Sequence, residues 1–413
     1  MPVDDLTHPV RATLDAVLAV ARSDASGHVA DYIPELANVD PDTLGIALVS
    51  TRGAVHDAGD SDVPFTIQSV SKPFVFALAL DALGIDEVTR HVGLEPSGEP
   101  FNAISLDADT GRPLNPMINA GAIVTSSLIA GATADDKFAA IRSGLERFAG
   151  RDLVVDEAVF DSERQTGDRN RALGYLALAT GALASSVEVA TTAYFRQCSL
   201  SVTARDLAIM ASTLATGGVN PVTDERVISE DAARWTTAVM TSCGMYDESG
   251  TWMVRVGLPA KSGVGGGIVA VQPGQFGIGT FSPRLDDRGN SVRGVTMLET
   301  LSARYGLHML ATRGNTLSPI GSLSPEAGRT VAALRGEIYF AAAEEIFTRL
   351  TPLLNDDGCL VLDFSGVTRV GVAVKDLFRA LPELMGTATD GRARVMVVDP
   401  DGVLDGVLDN VTH

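Results

Sequence analysis

The segment Ile67-Gln68-Ser69-Val70-Ser71-Lys72-Pro73-Phe74 limits the fold of this chain more than any other. A serine precedes a lysine by three residues, and the apolar run 74–83 follows at once. The run predicts a helix with one buried side. Ser69 and Lys72 then share a face of its first turn. Two readings of the pair stand. In one, Ser69 is an N-cap and Lys72 is exposed. In the other they are a nucleophile and its base. A serine hydroxyl is a poor nucleophile at neutral pH, and a partly desolvated lysine with a lowered pKa can take its proton.

A chain of 413 residues predicts two or more domains. Only 5% of residues are aromatic while 45% are hydrophobic, so aliphatic and alanine packing must build the cores. The formal net charge of -20 argues against nucleic acid and anionic membrane surfaces as partners. Cys198, Cys243 and Cys359 form no C-x-x-C pair, and an odd count argues against a disulfide framework. Cys198 and Cys243 read as packed or incidental. The six histidines show no ligand spacing, so neither a metal site nor any other cofactor is expected. Met1-Pro2-Val3-Asp4-Asp5 lacks the positive region of a signal peptide. The apolar stretches are too short or too interrupted to insert in a bilayer. The expectation is a cytoplasmic enzyme.

Residues 7–38 read as helical, with Leu14, Val17, Leu18 and Ala21 at helix spacing. A hairpin is predicted from strands at 45–50 and 53–56, and two further strands at 267–271 and 277–281. Between them, residues 120–215 alternate helical patterns with glycine punctuation. Strands at both ends of a helical region predict an antiparallel sheet with an inserted helical cluster. Residues 312–328, rich in Gly, Ser, Pro, Asn and Thr, read as a linker. Strand and helix patterns then start afresh: strands at 330–334, 338, 359–364 and 394–398, helices at 341–354 and 374–385. They predict a small α/β domain, giving an α/β multidomain chain divided as 1–311, 312–328 and 329–413.

Five further segments carry residues that chemistry would use. Residues 114–123 place Asn119 at the start of an apolar helix, where an N-cap role is the plain alternative. Residues 161–170 are a polar stretch between helical regions, and 194–200 carry a tyrosine. Residues 244–250 read as a turn. Lys261-Ser262-Gly263-Val264-Gly265-Gly266-Gly267 leads into a strand, and glycines there let a substrate approach backbone N–H groups that can stabilise an oxyanion.

From about residue 25 to 310 the chain resembles the serine-dependent glutaminase family. The resemblance is carried by residues 31–36, 68–74, 95–102, 115–123, 194–200 and 261–268, in the family's order and approximate spacing. It implies a fold similar to the β-lactamase and DD-peptidase enzymes, an antiparallel sheet flanked by a helical cluster. It also implies hydrolysis of L-glutamine to glutamate and ammonia. Ser69 would be the nucleophile and Lys72 its base. Tyr246 would help pass a proton to departing ammonia, and Tyr32 would close the site beside the serine. The N–H groups of Ser69 and Val264 would form the oxyanion hole. Gln68, Asn119, Glu163, Asn170 and Tyr194 would bind substrate, Glu163 taking the α-ammonium and Asn119, Asn170 and Tyr194 the α-carboxylate. Lys261 would support the strand near Ser69. The family also implies a homo-oligomer, a dimer or tetramer.

Residues 329–413 resemble a STAS domain, through Leu360-Val361-Leu362-Asp363-Phe364-Ser365-Gly366-Val367-Thr368-Arg369-Val370. Signalling members carry a phosphorylatable serine next, where this chain has Gly371-Val372-Ala373-Val374. A packing or oligomerisation module is the favoured reading, its partner unknown. Two alternatives differ in class. A penicillin-recognising hydrolase or peptidase predicts an export signal and a Ser-x-Asn-type motif, neither of which is found. An inactive amidase-like scaffold conflicts with the intact Ser69, Lys72 and Tyr246.

Overall fold

The computed structural model describes residues 8–98, 106–107, 109–311, 318–326, 328–353, 359–371, 374–375, 377–378 and 394–404. The chain forms two compact units, Met1–Ala311 and Thr312–His413. Strands of the first unit are β1 (Gly45–Ser50), β2 (Val55–Gly59), β3 (Phe65–Thr66), β4 (Val154–Val155), β5 (Leu200–Val202), β6 (Ala260–Ser262), β7 (Gly267–Gln272) and β8 (Phe276–Phe281). Those of the second are β9 (Ile320–Glu326), β10 (Arg329–Ile338), β11 (Cys359–Val370) and β12 (Val395–Val398).

The first unit is built on a five-stranded antiparallel sheet in the order β2-β1-β8-β7-β6. Its strands come from both ends of the unit, as the sequence pattern predicts, and the helical cluster lies between them in sequence. One face packs on the helices His8–Arg22 and Val292–Tyr305, where Leu14, Val17 and Leu18 meet Ile46, Ile268, Ile278 and Met297. Residues of the other face, Val269, Val271 and Phe281, join the large core of the helical cluster. β7 is buried along its whole length and β8 nearly so, which explains why both read as apolar runs rather than alternating strands.

Several expectations are corrected. The helix predicted over 7–38 is two helices, His8–Arg22 and Pro34–Ala37. Between them His28 donates its N–H to the Leu285 carbonyl and forms a bridge there. Gly27 sits at φ 77, and a Cβ would lie 2.4 Å from the Leu285 carbonyl oxygen, so this connection needs glycine there. The helix after Ser69, Lys72–Leu83, is buried on nearly all sides rather than one, because it is apolar all round and runs through the cluster. The polar stretch 161–170 is helical too: Glu157–Thr166 and Asp168–Ala179 meet at Gly167. The turn read at 244–250 holds a 3-10 turn, Tyr246–Glu248, and the start of the helix Ser249–Arg255.

In the second unit the sheet order is β12-β11-β10-β9, with β10, β11 and β12 parallel and β9 antiparallel to β10. The helix Phe340–Leu350 covers it through Ala343, Ile346 and Leu350. The residues read as a linker are not one throughout. Residues 320–326 form the edge strand β9, exposed except at Ile320. An edge strand tolerates the Ser, Gly and Pro content that suggested a loop, because one side of it needs no partner. The strands expected on either side of Arg335-Gly336-Glu337 are one strand with register shifts there. Residues 312–317, and most of the helix read at 374–385, lie outside the described residues.

Candidate active site

An open cleft of about 280 Å³ is lined by Tyr32, Gln68, Ser69, Asn119, Glu163, Thr166, Gly167, Arg169, Asn170, Tyr194, Cys198 and Val264. Residues scattered over more than 230 positions of sequence therefore meet at one place. Ser69 lies in the 3-10 turn Gln68–Ser71, which runs directly into the Lys72–Leu83 helix. The Lys72 backbone N–H donates to the Ser69 carbonyl, so the two side chains share one face. The N-cap reading of Ser69 does not hold, for its side chain caps nothing and Lys72 is 1% exposed.

Lys72 Nζ donates to Asn119 Oδ1 at 2.6 Å and to the Met117 carbonyl at 3.3 Å. Burial lowers its pKa from 10.5 to about 8, and the Glu163 charge works against that fall. The charged form is disfavoured by about 3 kcal/mol relative to an exposed lysine. Asn119, the first residue of the helix Asn119–Leu128, does more than face the cleft. Its Oδ1 holds the lysine while its Nδ2 donates to Asn170 Oδ1 at 3.0 Å. Tyr194 donates to the same Asn119 oxygen at 3.4 Å.

Tyr246 stands at φ 56, an uncommon conformation for a side-chained residue. Its hydroxyl donates to the Ser262 carbonyl at 3.0 Å and is hydrogen-bonded to Ser69. Burial raises its pKa. Lys261 does not line the cleft. It is fully buried behind Tyr246, its Nζ 4.0 Å from the ring centre, and donates to the carbonyls of Gly244 and Ser262. Burial pushes its pKa well down, helped by the Lys72 charge.

The loop after β6 brings Val264 to the cleft. Gly266 donates its N–H to the Gly263 carbonyl, and Gly263 its own to Gly267. A Cβ on Gly263 would meet Val70 Cγ2 at 2.9 Å and Val70 N at 3.2 Å, so glycine is what lets this loop rest on the turn of Ser69. Glu163, also in the lining, is buried and its pKa is raised by that burial. Hydrogen bonds from Tyr32 and Gln68 act the other way and favour its charged form. Tyr32 is 48% exposed, yet its hydroxyl reaches inward to Glu163 Oε1 at 2.8 Å and Gln68 Oε1 at 3.4 Å. It thus forms a rim over the carboxylate.

A family model described as Glutaminase matches residues 27–310. The chain belongs to the glutaminase family. Among curated relatives, Glutaminase 1 of Bradyrhizobium diazoefficiens is 56% identical over 73% of this chain and 49% of its own length. The chain spans about half the length of that relative and 64% of Glutaminase 2 of the same organism. Glutaminase of Corynebacterium glutamicum is 42% identical over 97% of this chain and 96% of its own length. Among solved structures, Mglu in its glutamate form is similar at a TM-score of 0.84 and 38% identity, over 95% of this chain and 99% of that one. The mixed fold, antiparallel sheet with helices, is that of glutaminase structures.

Thr166, Gly167, Arg169 and Cys198 line the cleft without having been singled out in the sequence. The first three lie inside the polar stretch 161–170, which did carry a signal. Cys198, read as packed or incidental, borders the cleft four residues after Tyr194 on the same helical face. Burial raises its pKa to about 12, so it is a neutral thiol there. Among the described residues no cluster of three or more His, Cys, Asp or Glu is placed to hold a metal ion. No helix among them is long and apolar enough to cross a membrane.

Proposed function

We propose that this chain hydrolyses L-glutamine to L-glutamate and ammonia through a glutamyl ester on Ser69. The observation that carries the reading is the pairing of Ser69 with a buried lysine of pKa about 8, one helical turn away, under the Tyr246 hydroxyl. Ser69 Oγ attacks the side-chain carboxamide carbon and its proton passes to neutral Lys72. The oxygen of the tetrahedral intermediate is held by the N–H groups of Ser69 and Val264. The C–N bond then breaks, and the nitrogen leaves as ammonia with a proton delivered through Tyr246. Water attacks the ester, Lys72 again takes a proton, and glutamate departs as Ser69 is reprotonated.

The amino-acid end fits the polar lining of the same cleft. Glu163, whose charged form is favoured by hydrogen bonds from Tyr32 and Gln68 against the effect of burial, pairs with the α-ammonium. Asn119, Asn170 and Tyr194 surround the α-carboxylate. Tyr32 closes the cleft over Glu163. The cleft lies at the lower edge of ligand-pocket volumes, roughly 300 Å³, as suits one amino acid. Lys261 holds the Ser262 carbonyl that receives the Tyr246 hydroxyl, so it supports the proton path from behind. The solved structure of Mglu in its glutamate form supports glutamate as the product.

The second unit serves as a STAS-like module for packing or self-association in a cytoplasmic homo-oligomer. Its parallel core strands with one antiparallel edge strand support the small α/β fold of that module. The test of the activity is ammonia release from L-glutamine, measured beside Ser69→Ala. Release by the native chain that is lost in the variant is expected, and equal release by both overturns the serine mechanism.

A further inference from the structure

Outside the cleft, a line of buried polar groups leads to the peptide that carries the Ser69 amide. Ser71 Oγ donates to the Gln68 carbonyl at 2.7 Å. Gln197 Nε2 donates to Ser71 Oγ at 2.9 Å. The Ser126 hydroxyl lies 3.0 Å from Gln197 Oε1 and 2.9 Å from the Ala122 carbonyl. Ser71, Gln197 and Ser126 are fully buried, on three separate elements. The Cys198 thiol is a second, weaker neighbour of Ser71.

The Gln68 carbonyl and the Ser69 N–H belong to one planar trans peptide, in which they point in opposite directions. Whatever holds that carbonyl therefore aims that N–H. Gln68 stands at φ 47, a region that side-chained residues seldom occupy. Its peptide needs an outside hold to stay there. Ser71 has one proton. Given to the Gln68 carbonyl, it leaves the hydroxyl oxygen to accept, and the Gln197 amide supplies the donor. A hydrogen bond accepted at the carbonyl also polarises the peptide and strengthens its N–H as a donor.

We propose that Gln197 is a positioning residue which, through Ser71, fixes the Gln68–Ser69 peptide so that its N–H faces the developing oxyanion. The proposal rests on the reading of Ser69 as nucleophile and oxyanion donor. Gln197 touches neither substrate nor the reacting atoms. It acts on the transition state and leaves ground-state binding alone, because the amino-acid end of the substrate is assigned to the side chains of Glu163, Asn119, Asn170 and Tyr194, none of which belongs to this peptide.

The test uses the full chain with L-glutamine. Ser71→Ala and Gln197→Leu are each expected to lower kcat roughly tenfold, less than the 10²–10³ of an oxyanion donor removed outright. KM stays within about twofold. L-Glutamate binds both variants with native stoichiometry by calorimetry, which a merely unfolded fraction would not allow. The double variant is no slower than Ser71→Ala, because both changes break one line of action. If Gln197→Leu does not fold, Gln197→Glu replaces the donor by an acceptor of the same shape and is expected to lower kcat likewise. Native kcat in Ser71→Ala or Gln197→Leu, a rise in KM alone, or fully additive losses would overturn the proposal. Ser69→Ala is run alongside. Activity in that variant removes the serine reading itself, whereas an inactive Ser69→Ala beside a normal Gln197→Leu removes the positioning role alone.

Discussion

The two compact units differ in what they bury. Among the described residues, every buried polar or charged side chain lies in the first unit, the last of them being Ser302. Of the described residues, the three side-chained ones with positive φ, Gln68, Asp224 and Tyr246, lie there as well; Gln68 lines the cleft and Tyr246 is hydrogen-bonded to Ser69. The core of the second unit is apolar throughout, built on residues such as Ile338, Ile346, Leu362 and Phe364. Buried lysines and left-handed backbone cost stability and persist where the surrounding structure holds them. The contrast places left-handed backbone and buried charge beside the cleft in the first unit, while the described core of the second is apolar.

The largest expected effects would break this contrast at its centre. Ser69→Ala is expected to bring ammonia release below detection with the circular dichroism of the native chain. Lys72→Ala is expected to lose at least about a hundredfold in kcat, the lower end for a positioned base. Loss of affinity alone would make Lys72 a binding residue. In the native chain the base must be neutral, and its pKa is lowered to about 8. The rate should therefore rise with pH up to about 8 and level off above it. A rate that is flat from pH 6 to 9 would argue against Lys72 as the base.

Glu163→Gln should weaken binding more than chemistry. Truncating one partner of a desolvated charge pair costs about 2–5 kcal/mol, which is a rise in KM of roughly thirtyfold or more. A collapsed kcat with unchanged KM would move Glu163 from the amino-acid end to the reacting amide.

Phe364→Ala sharpens the comparison from the other side. Phe364 is fully buried, edge-on to Phe378 at 5.1 Å. Its loss should cost the second unit about 3–5 kcal/mol, seen as earlier unfolding on thermal scans. The kcat measured below that transition should stay native. The smallest effect is expected from removing the second unit altogether. Residues 1–311 contain all the residues assigned to the site, and the purified, folded fragment should turn over glutamine at close to the native rate. An inactive folded fragment would show that the second unit orders the cleft, and the two units would then have to be treated as one device.

Much of this organisation was legible in the sequence. The apolar run after Lys72, the strands on either side of the helical region and the fresh start of the second unit all follow from hydrophobic period, which is local. So does the Ser69–Lys72 pair, because three residues in a helical turn define one face. Local pattern failed where a distant segment decided. It missed the non-helical connection between Arg22 and Pro34, where His28 bridges to Leu285, and the edge strand β9, which β10 recruits. The chemistry of the cleft belongs to the tertiary structure. Only folding buries Lys72 enough to lower its pKa and sets Asn119 against it. Folding also brings Tyr246 onto Ser69 and places Gln197 behind the serine's own peptide. Those effects depend on desolvation and on contacts between residues far apart in the chain, and sequence spacing encodes neither.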